Sequence, residues 1–238
     1  MLGNSLNYLI YGSYNYLFFA VIAVAILGIA ASARVNSVFK KYARMRAHSG
    51  LPASDVAQRL LYENGSSATL TQVGGSLTDH YDPRSNTVGL SQAVYNDSSV
   101  SALAVAAHEI GHVMQYQDNY GPIKLRNALL PVARIGSGVA PWIVILGALM
   151  GSFGLASFGA WLFAGILLFQ LVTLPVELNA SRRALDMLTA GGYLDTYDEE
   201  AAARKVLNAA AATYVVAALA SFVTFLRLLM IAGNTRRR

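Results

Sequence analysis

His108, Glu109 and His112 stand in the stretch Val105–Gln117, VAAHEIGHVMQYQ, as an H-E-x-x-H. On a helix, residues i and i+4 leave the same face, so both imidazoles can reach one metal ion. A carboxylate directly after the first histidine can take the proton of a water activated at that metal. The implied chemistry is metal-assisted hydrolysis with Glu109 as general base. The flanking Ala104, Val105, Ala106, Ala107, Val113 and Met114 suit a buried helix that packs closely on its neighbours. With four His and five Glu in 238 residues, the motif arises by chance in roughly one chain in seven hundred. A buried helix with two hydrogen-bonded histidines and a surface glutamate is therefore the weaker reading.

A catalytic zinc takes three protein ligands and keeps one position open. The chain has no cysteine, so no thiolate can serve as ligand or nucleophile and no disulfide can staple the fold. In one large class of zinc hydrolases the third ligand is a Glu on a later helix. Glu63 falls on a surface helix, and Glu199 and Glu200 fall at a helix start, where acidic residues are expected anyway. Glu177 remains, placed where the chain returns to the same side after two apolar runs. The competitor is Asp118, six residues after His112. That arrangement needs a Gly three residues after the second His to turn the chain, and Gln115 stands there. The helix is therefore expected to continue and to carry Asp118 away from the metal.

The elements that must position these residues are largely apolar. The chain is 55% hydrophobic and 13% charged, against about 25% charged in ordinary soluble domains. Tyr14–Ser32 carries no charge and is long enough to span a bilayer, with Tyr8, Tyr11, Tyr14 and Tyr16 as an interfacial belt. The basic residues follow this run, which argues against a cleaved signal peptide. Arg34, Lys40, Lys41, Arg44 and Arg46 interleave with Val35, Val38, Phe39, Tyr42 and Met45, as in an amphipathic extension lying on the membrane surface. A nucleic-acid partner is not needed to explain them, and none is expected. Ala53–Asn64 reads as a short helix ended by Gly65, and Thr69–Val73 and Thr87–Ser91 as strands. Asp97-Ser98-Ser99 caps the helix of the motif. Gly136–Gly151 and Leu155–Leu174 form an apolar hairpin, a polar helix starts at Pro175, and Thr196-x-x-Glu199 is a capping box for a last helix, apolar from Ala209 to Ile231.

The fold class that follows is a mostly α membrane protein, with about four transmembrane helices and a small α+β zincin-like unit holding a short sheet. Residues 1–33 form the first span, 34–135 the catalytic unit, 136–175 the hairpin, 176–208 the polar helices with the third ligand, and 209–238 the last span and basic tail. Segments 34–138 and 177–208 hold fourteen of the eighteen Lys and Arg. The positive-inside rule then places the H-E-x-x-H side in the cytoplasm and the N-terminus outside, in a multi-pass plasma-membrane protein. The tail Arg236, Arg237 and Arg238 opposes that orientation.

Three segments carry a resemblance to a known family: LTDHYDPR (Leu77–Arg84), VAAHEIGHVMQ (Val105–Gln115) and PVELNASRRAL (Pro175–Leu185). Along nearly its whole length the chain resembles the membrane zinc metallopeptidases of the YugP type. The last segment is also similar to the E-x-x-A-D helix of the membrane-bound CAAX prenyl protease and HtpX peptidases, which are gluzincins. That resemblance implies Glu177 as zinc ligand and an Asp four residues later that orients a ligand histidine. Here Ser181 stands in that place, and a hydroxyl accepts a hydrogen bond but brings no charge.

The expected activity is hydrolysis of peptides or membrane proteins at zinc held by His108, His112 and Glu177, with Glu109 passing a proton from water to the leaving amine. The Thr87–Ser91 strand is expected to hold substrate by strand addition at its edge. His80, Tyr81, Tyr95 and Arg183 are the candidate oxyanion donors, with His80 first, although turn, packing and surface roles are the more ordinary ones for them. The rivals are a zinc-binding membrane scaffold or chaperone-like factor, which needs ligands but no base, and a hydrolase of non-peptide amides.

Overall fold

The structure is a computed structural model describing residues 2–236, with side chains from residue 16 onward. Tyr8, Tyr11 and Tyr14 lie outside the described side chains, and Arg237 and Arg238 outside the described residues. The elements in order are α1 (Leu2–Tyr42), α2 (Ala53–Glu63), β1 (Thr69–Val73), β2 (His80–Asp82), β3 (Thr87–Ser91), α3 (Gln92–Tyr95), α4 (Val100–Gln117), α5 (Gly121–Leu149), α6 (Phe153–Ala190) and α7 (Tyr197–Thr235). Among the described residues, four helices are long and apolar enough to cross a membrane: Tyr16–Tyr42 of α1, α5, α6 and α7. This is a mostly α membrane protein with a small mixed sheet.

The chain divides into two compact units. One comprises Met1–Ala30, Leu125–Thr173 and Thr213–Arg238. Its core is built mainly from small and branched residues, among them Ala140, Val144, Ala156, Ala160 and Ile166, with Phe163 beside them. Small side chains let helix backbones approach closely, which supplies the packing that apolar surroundings do not. Between α5 and α6 the chain turns at Gly151, whose φ of +66° is open to glycine at little cost.

The other unit comprises Ala31–Lys124 and Leu174–Ala212 and holds every residue of the candidate site. Its core joins α2, α4, β3, the end of α6 and the start of α7 through Leu60, Leu61, Val88, Leu90, Leu103, Ile110, Leu188 and Val206. The sheet order is β1-β3-β2. β1 runs parallel to β3, with Thr69 opposite Thr87, and β2 runs antiparallel to it, with His80 opposite Gly89. β3 is the buried centre of the sheet, covered from Val88 to Ser91.

That order overturns one expectation. Thr87–Ser91 has no free edge on which a peptide could add, because β1 and β2 occupy both of its sides. The open edges belong to β1 and β2. The concentration of polar groups in Leu77–Arg84 is turn chemistry. The Asp79 carboxylate accepts from the Ser91 N–H at 2.7 Å and from its hydroxyl at 3.0 Å. Asp82 accepts from the Arg84 N–H and the Ser85 hydroxyl, each at 3.0 Å. These bonds close the hairpin between β2 and β3.

Two helices run on, one of them past an expected start. α1 continues through its basic stretch to Tyr42, and Val38, Phe39, Tyr42 and Met45 are partly buried against this unit's protein core. α6 passes through Pro175 without ending. A proline removes one backbone donor, and helices in an apolar setting tolerate the loss when neighbouring groups satisfy the freed carbonyl. The capping box at α7 forms as the spacing predicts: Glu199 N–H donates to the Thr196 hydroxyl and Thr196 N–H to the Glu199 carboxylate, both at 3.2 Å.

Candidate metal centre

The Ser99 hydroxyl accepts from the Ala102 N–H at 3.2 Å and starts α4, which is buried around most of its circumference. Close approach to α6 is made possible by Gly111. A Cβ there would stand 2.5 Å from the Ala180 carbonyl oxygen, so α4 and α6 meet backbone to backbone. On α4 the residues His108, Gly111 and His112 occupy positions i, i+3 and i+4. Glu177, Ala180 and Ser181 repeat that spacing on α6. The contact at Gly111 and Ala180 therefore brings two pairs of functional side chains face to face.

The Glu177 Oε2 atom lies 3.3 Å from His108 Nε2 and 3.6 Å from His112 Nε2. One donor atom from each of the three residues lies within 4.8 Å of the others. Tetrahedral zinc with bonds of about 2.1 Å holds its ligand atoms about 3.4 Å apart. Two imidazoles and one buried carboxylate at these separations fit that ion. The side chains of Glu177, His112 and His108 are 4%, 12% and 14% exposed, so the donors are largely withdrawn from water while one side of the cluster stays accessible. Burial works against the charged form of His112, but the Glu177 and Glu109 carboxylates beside it hold its pKa above the ordinary value.

Both histidines are held from behind. Ser181 Oγ lies 3.2 Å from His108 Nδ1, and Gln115 Oε1 lies 3.0 Å from His112 Nδ1. Gln115 is fully buried. Its Nε2 donates to the Val176 carbonyl at 2.7 Å and to Asn179 Oδ1 at 3.0 Å. Because both of those partners are oxygens, the amide can stand only this way round, and its oxygen faces His112. An oxygen acceptor at Nδ1 places the ring hydrogen there and leaves the Nε2 lone pair free toward Glu177. Asn179 Oδ1 also accepts from Arg183 Nε at 3.0 Å, and Arg183 pairs with Asp118. A single hydrogen-bonded run therefore links His112 to the end of α4 by way of α6.

Asp118, Glu63, Glu199 and Glu200 have separate partners. Asp118 caps the C-terminus of α4 and faces Arg183. Glu63 accepts from the Tyr193 hydroxyl at 2.7 Å, and burial followed by that carboxylate pushes the phenol up to about 12. Glu199 accepts from the backbone N–H groups of His48, Asp195 and Thr196. Glu200 pairs with Arg204 at 2.6 Å. Glu109 follows His108 on α4 and is 8% exposed. Of the four oxyanion candidates, Arg183 is committed to Asn179 and Asp118, and the Tyr81 hydroxyl donates to Asn86 at 2.8 Å. Tyr95 packs against the core, and the His80 ring is bonded through Nδ1 to the Thr78 carbonyl at 2.8 Å.

Read from sequence, Gln115 only sets Asp118 aside, and neither Gln115 nor Asn179 has a role at the site. Gln115 carried one signal, its place one turn after His112. Asn179 carried none, because the partner that ties it to the site, Gln115, comes from another helix.

A four-span membrane protein whose helices bring two histidines and a glutamate together around a metal-sized gap belongs, by its sequence, to a family of zinc peptidases. Residues 17–233 match the family described as "Putative neutral zinc metallopeptidase", and the chain belongs to it. It is similar to the "Putative membrane protease YugP" of Bacillus subtilis (strain 168), with 44% identity over 221 residues, covering 92% of this chain and 98% of that protein. No solved structure gives a significant match. The metal implied by the family is zinc, which the donor set fits.

Proposed function

We propose that the chain is a membrane-embedded zinc endopeptidase of gluzincin type, with His108, His112 and Glu177 as metal ligands and Glu109 as general base. The observation that carries this reading is the convergence of Glu177 Oε2 on the two Nε2 atoms at 3.3 and 3.6 Å. When bound, zinc supplies a Lewis acid that polarises the scissile carbonyl and lowers the pKa of water to about 7. Glu109 takes a proton from the attacking water and returns it to the leaving amine. Gln115 and Ser181 keep the imidazoles oriented so that their Nε2 atoms serve as ligands. Substrate backbone adds to the open edge of β2, which packs on α4 with Tyr81 edge-on to Tyr116 at 5.5 Å between ring centroids. A cavity of about 400 Å³ beside it is lined by Tyr81, Asn86, Val113, Tyr116 and Gln117. Val113 and Tyr116 follow Glu109 along one stripe of α4, which runs the cavity toward the base. The site faces the cytoplasm, where positive charge concentrates, and the substrates are peptides or membrane proteins.

The test compares membranes incubated with the purified protein and with Glu109→Gln. Peptide fragments should appear with the unaltered protein alone and should vanish with a chelator. Zinc-loaded protein that yields no fragments, or the same fragments with Glu109→Gln, contradicts the peptidase reading and favours a zinc-binding scaffold.

A further inference from the structure

We propose that Arg34, Lys41 and Lys205 form a binding site for the phosphate-bearing headgroup of an anionic phospholipid. The three cations line one cavity of about 410 Å³ between α1 and α7. On α1, Arg34, Val38 and Lys41 stand at i, i+4 and i+7; on α7, Lys205, Asn208 and Ala212 stand at i, i+3 and i+7. Each helix therefore turns one face to the cavity. The three charged side chains are exposed, and none has a carboxylate partner among the described residues. Like charges gathered without counter-charges repel one another, and an anion seated among them relieves that repulsion.

The location selects the anion. Arg34 is the first charge after the apolar run of α1, which ends at Ser32, and Asn208 immediately precedes the apolar run of α7, which begins at Ala209. Both helices leave the hydrocarbon at this level, where lipid phosphates lie. The walls match an amphipathic occupant. Val38, Ala209 and Ala212 offer an apolar side to the glycerol and upper acyl chain, while Tyr42 and Asn208 add hydrogen-bonding groups for phosphate or glycerol oxygens. The Lys41 ammonium stands 5.2 Å from the centroid of the Tyr42 ring, which keeps that cation at the cavity. A soluble phosphate would meet the same cations but would gain nothing from the apolar wall.

The experiment uses the full-length protein in neutral detergent, titrated with phosphatidylglycerol or phosphatidylcholine and read by native mass spectrometry. Phosphatidylglycerol should bind in preference. Arg34→Gln, Lys41→Gln and Lys205→Gln should each weaken it by about fivefold and the triple variant by about a hundredfold, with phosphatidylcholine unaffected. Lys40→Gln with Arg44→Gln, two cations of the same basic stretch outside the cavity, should change little. Equal loss in that control would mean a diffuse basic surface and would overturn the site. Undiminished phosphatidylglycerol binding in the triple variant would overturn it as well. Displacement of phosphatidylglycerol by comparable concentrations of inorganic phosphate would replace the lipid with a soluble anion. The melting temperature should be unchanged, and if the triple variant loses its transition the single variants carry the same comparison.

Discussion

Gly111→Ala is expected to open the metal centre from a position that touches no metal. The new Cβ would lie 2.5 Å from the Ala180 carbonyl oxygen and 3.1 Å from that residue's carbonyl carbon and Cα, where ordinary contact begins near 3.4 Å. The shortfall is about 0.9 Å, and backbone atoms cannot rotate away, so the helices must part. Two effects oppose one another. Alanine gains roughly 1 kcal/mol of helix propensity over glycine, while overpacking of a fitted contact costs about 1–3 kcal/mol. The net destabilisation is at most about 2 kcal/mol, so the variant should still fold. The site should suffer more. Parting α4 from α6 moves Glu177 away from nitrogens now at 3.3 and 3.6 Å, past the separation of about 3.4 Å that tetrahedral zinc requires. Zinc affinity, measured by competition with a chromogenic chelator, should fall by about 10–100-fold, and turnover by on the order of 100-fold. Adding Ala180→Gly should not rescue it, because the clash is with backbone. Unchanged zinc affinity in Gly111→Ala, or rescue by Ala180→Gly, would refute the reasoning.

Other outcomes follow from the same geometry. Gln115→Leu removes the acceptor at His112 Nδ1 and the donor to Val176 and Asn179; zinc affinity should drop about 10–100-fold in the chelator assay, and wild-type affinity would show that the buried amide merely packs. Ser181→Ala should weaken zinc retention by less, since it removes a single bond to His108 where Gln115→Leu removes three, and an effect larger than that of Gln115→Leu would reverse the ranking of the two supports. Cysteines placed singly at Ser85 and Asn4 of this cysteine-free chain report orientation: an impermeant thiol reagent applied to intact cells should label Asn4→Cys and spare Ser85→Cys, and the opposite pattern would invert the topology.

Much of this architecture is legible in sequence because apolar run length and short-range chemistry carry it. The spans follow from uninterrupted apolar residues, the start of α7 from Thr196 and Glu199, and β1 and β3 from β-branched alternation. Glu177 stands out because the chain holds few glutamates and the rest have ordinary local explanations. What the sequence hides is tertiary. β2 spans only His80–Asp82, too short for alternation to register, so β3 reads as an edge when it is the centre of the sheet. The apolar side of α1 beyond Ser32 has the same pattern whether it meets lipid or protein. The run from His112 through Gln115 and Asn179 to Arg183 and Asp118 exists only because Gly111 lets α6 lie against α4.

The most direct test of the account is zinc bound per chain in purified protein, measured by elemental mass spectrometry for the unaltered chain, Glu109→Gln, Asp118→Asn and Glu177→Gln. About one zinc is expected in the first three, because Glu109 is assigned to proton transfer and Asp118 to Arg183. Most of the metal should be lost in Glu177→Gln. Full zinc in Glu177→Gln together with loss in Asp118→Asn would contradict the ligand set on which the proposed chemistry rests.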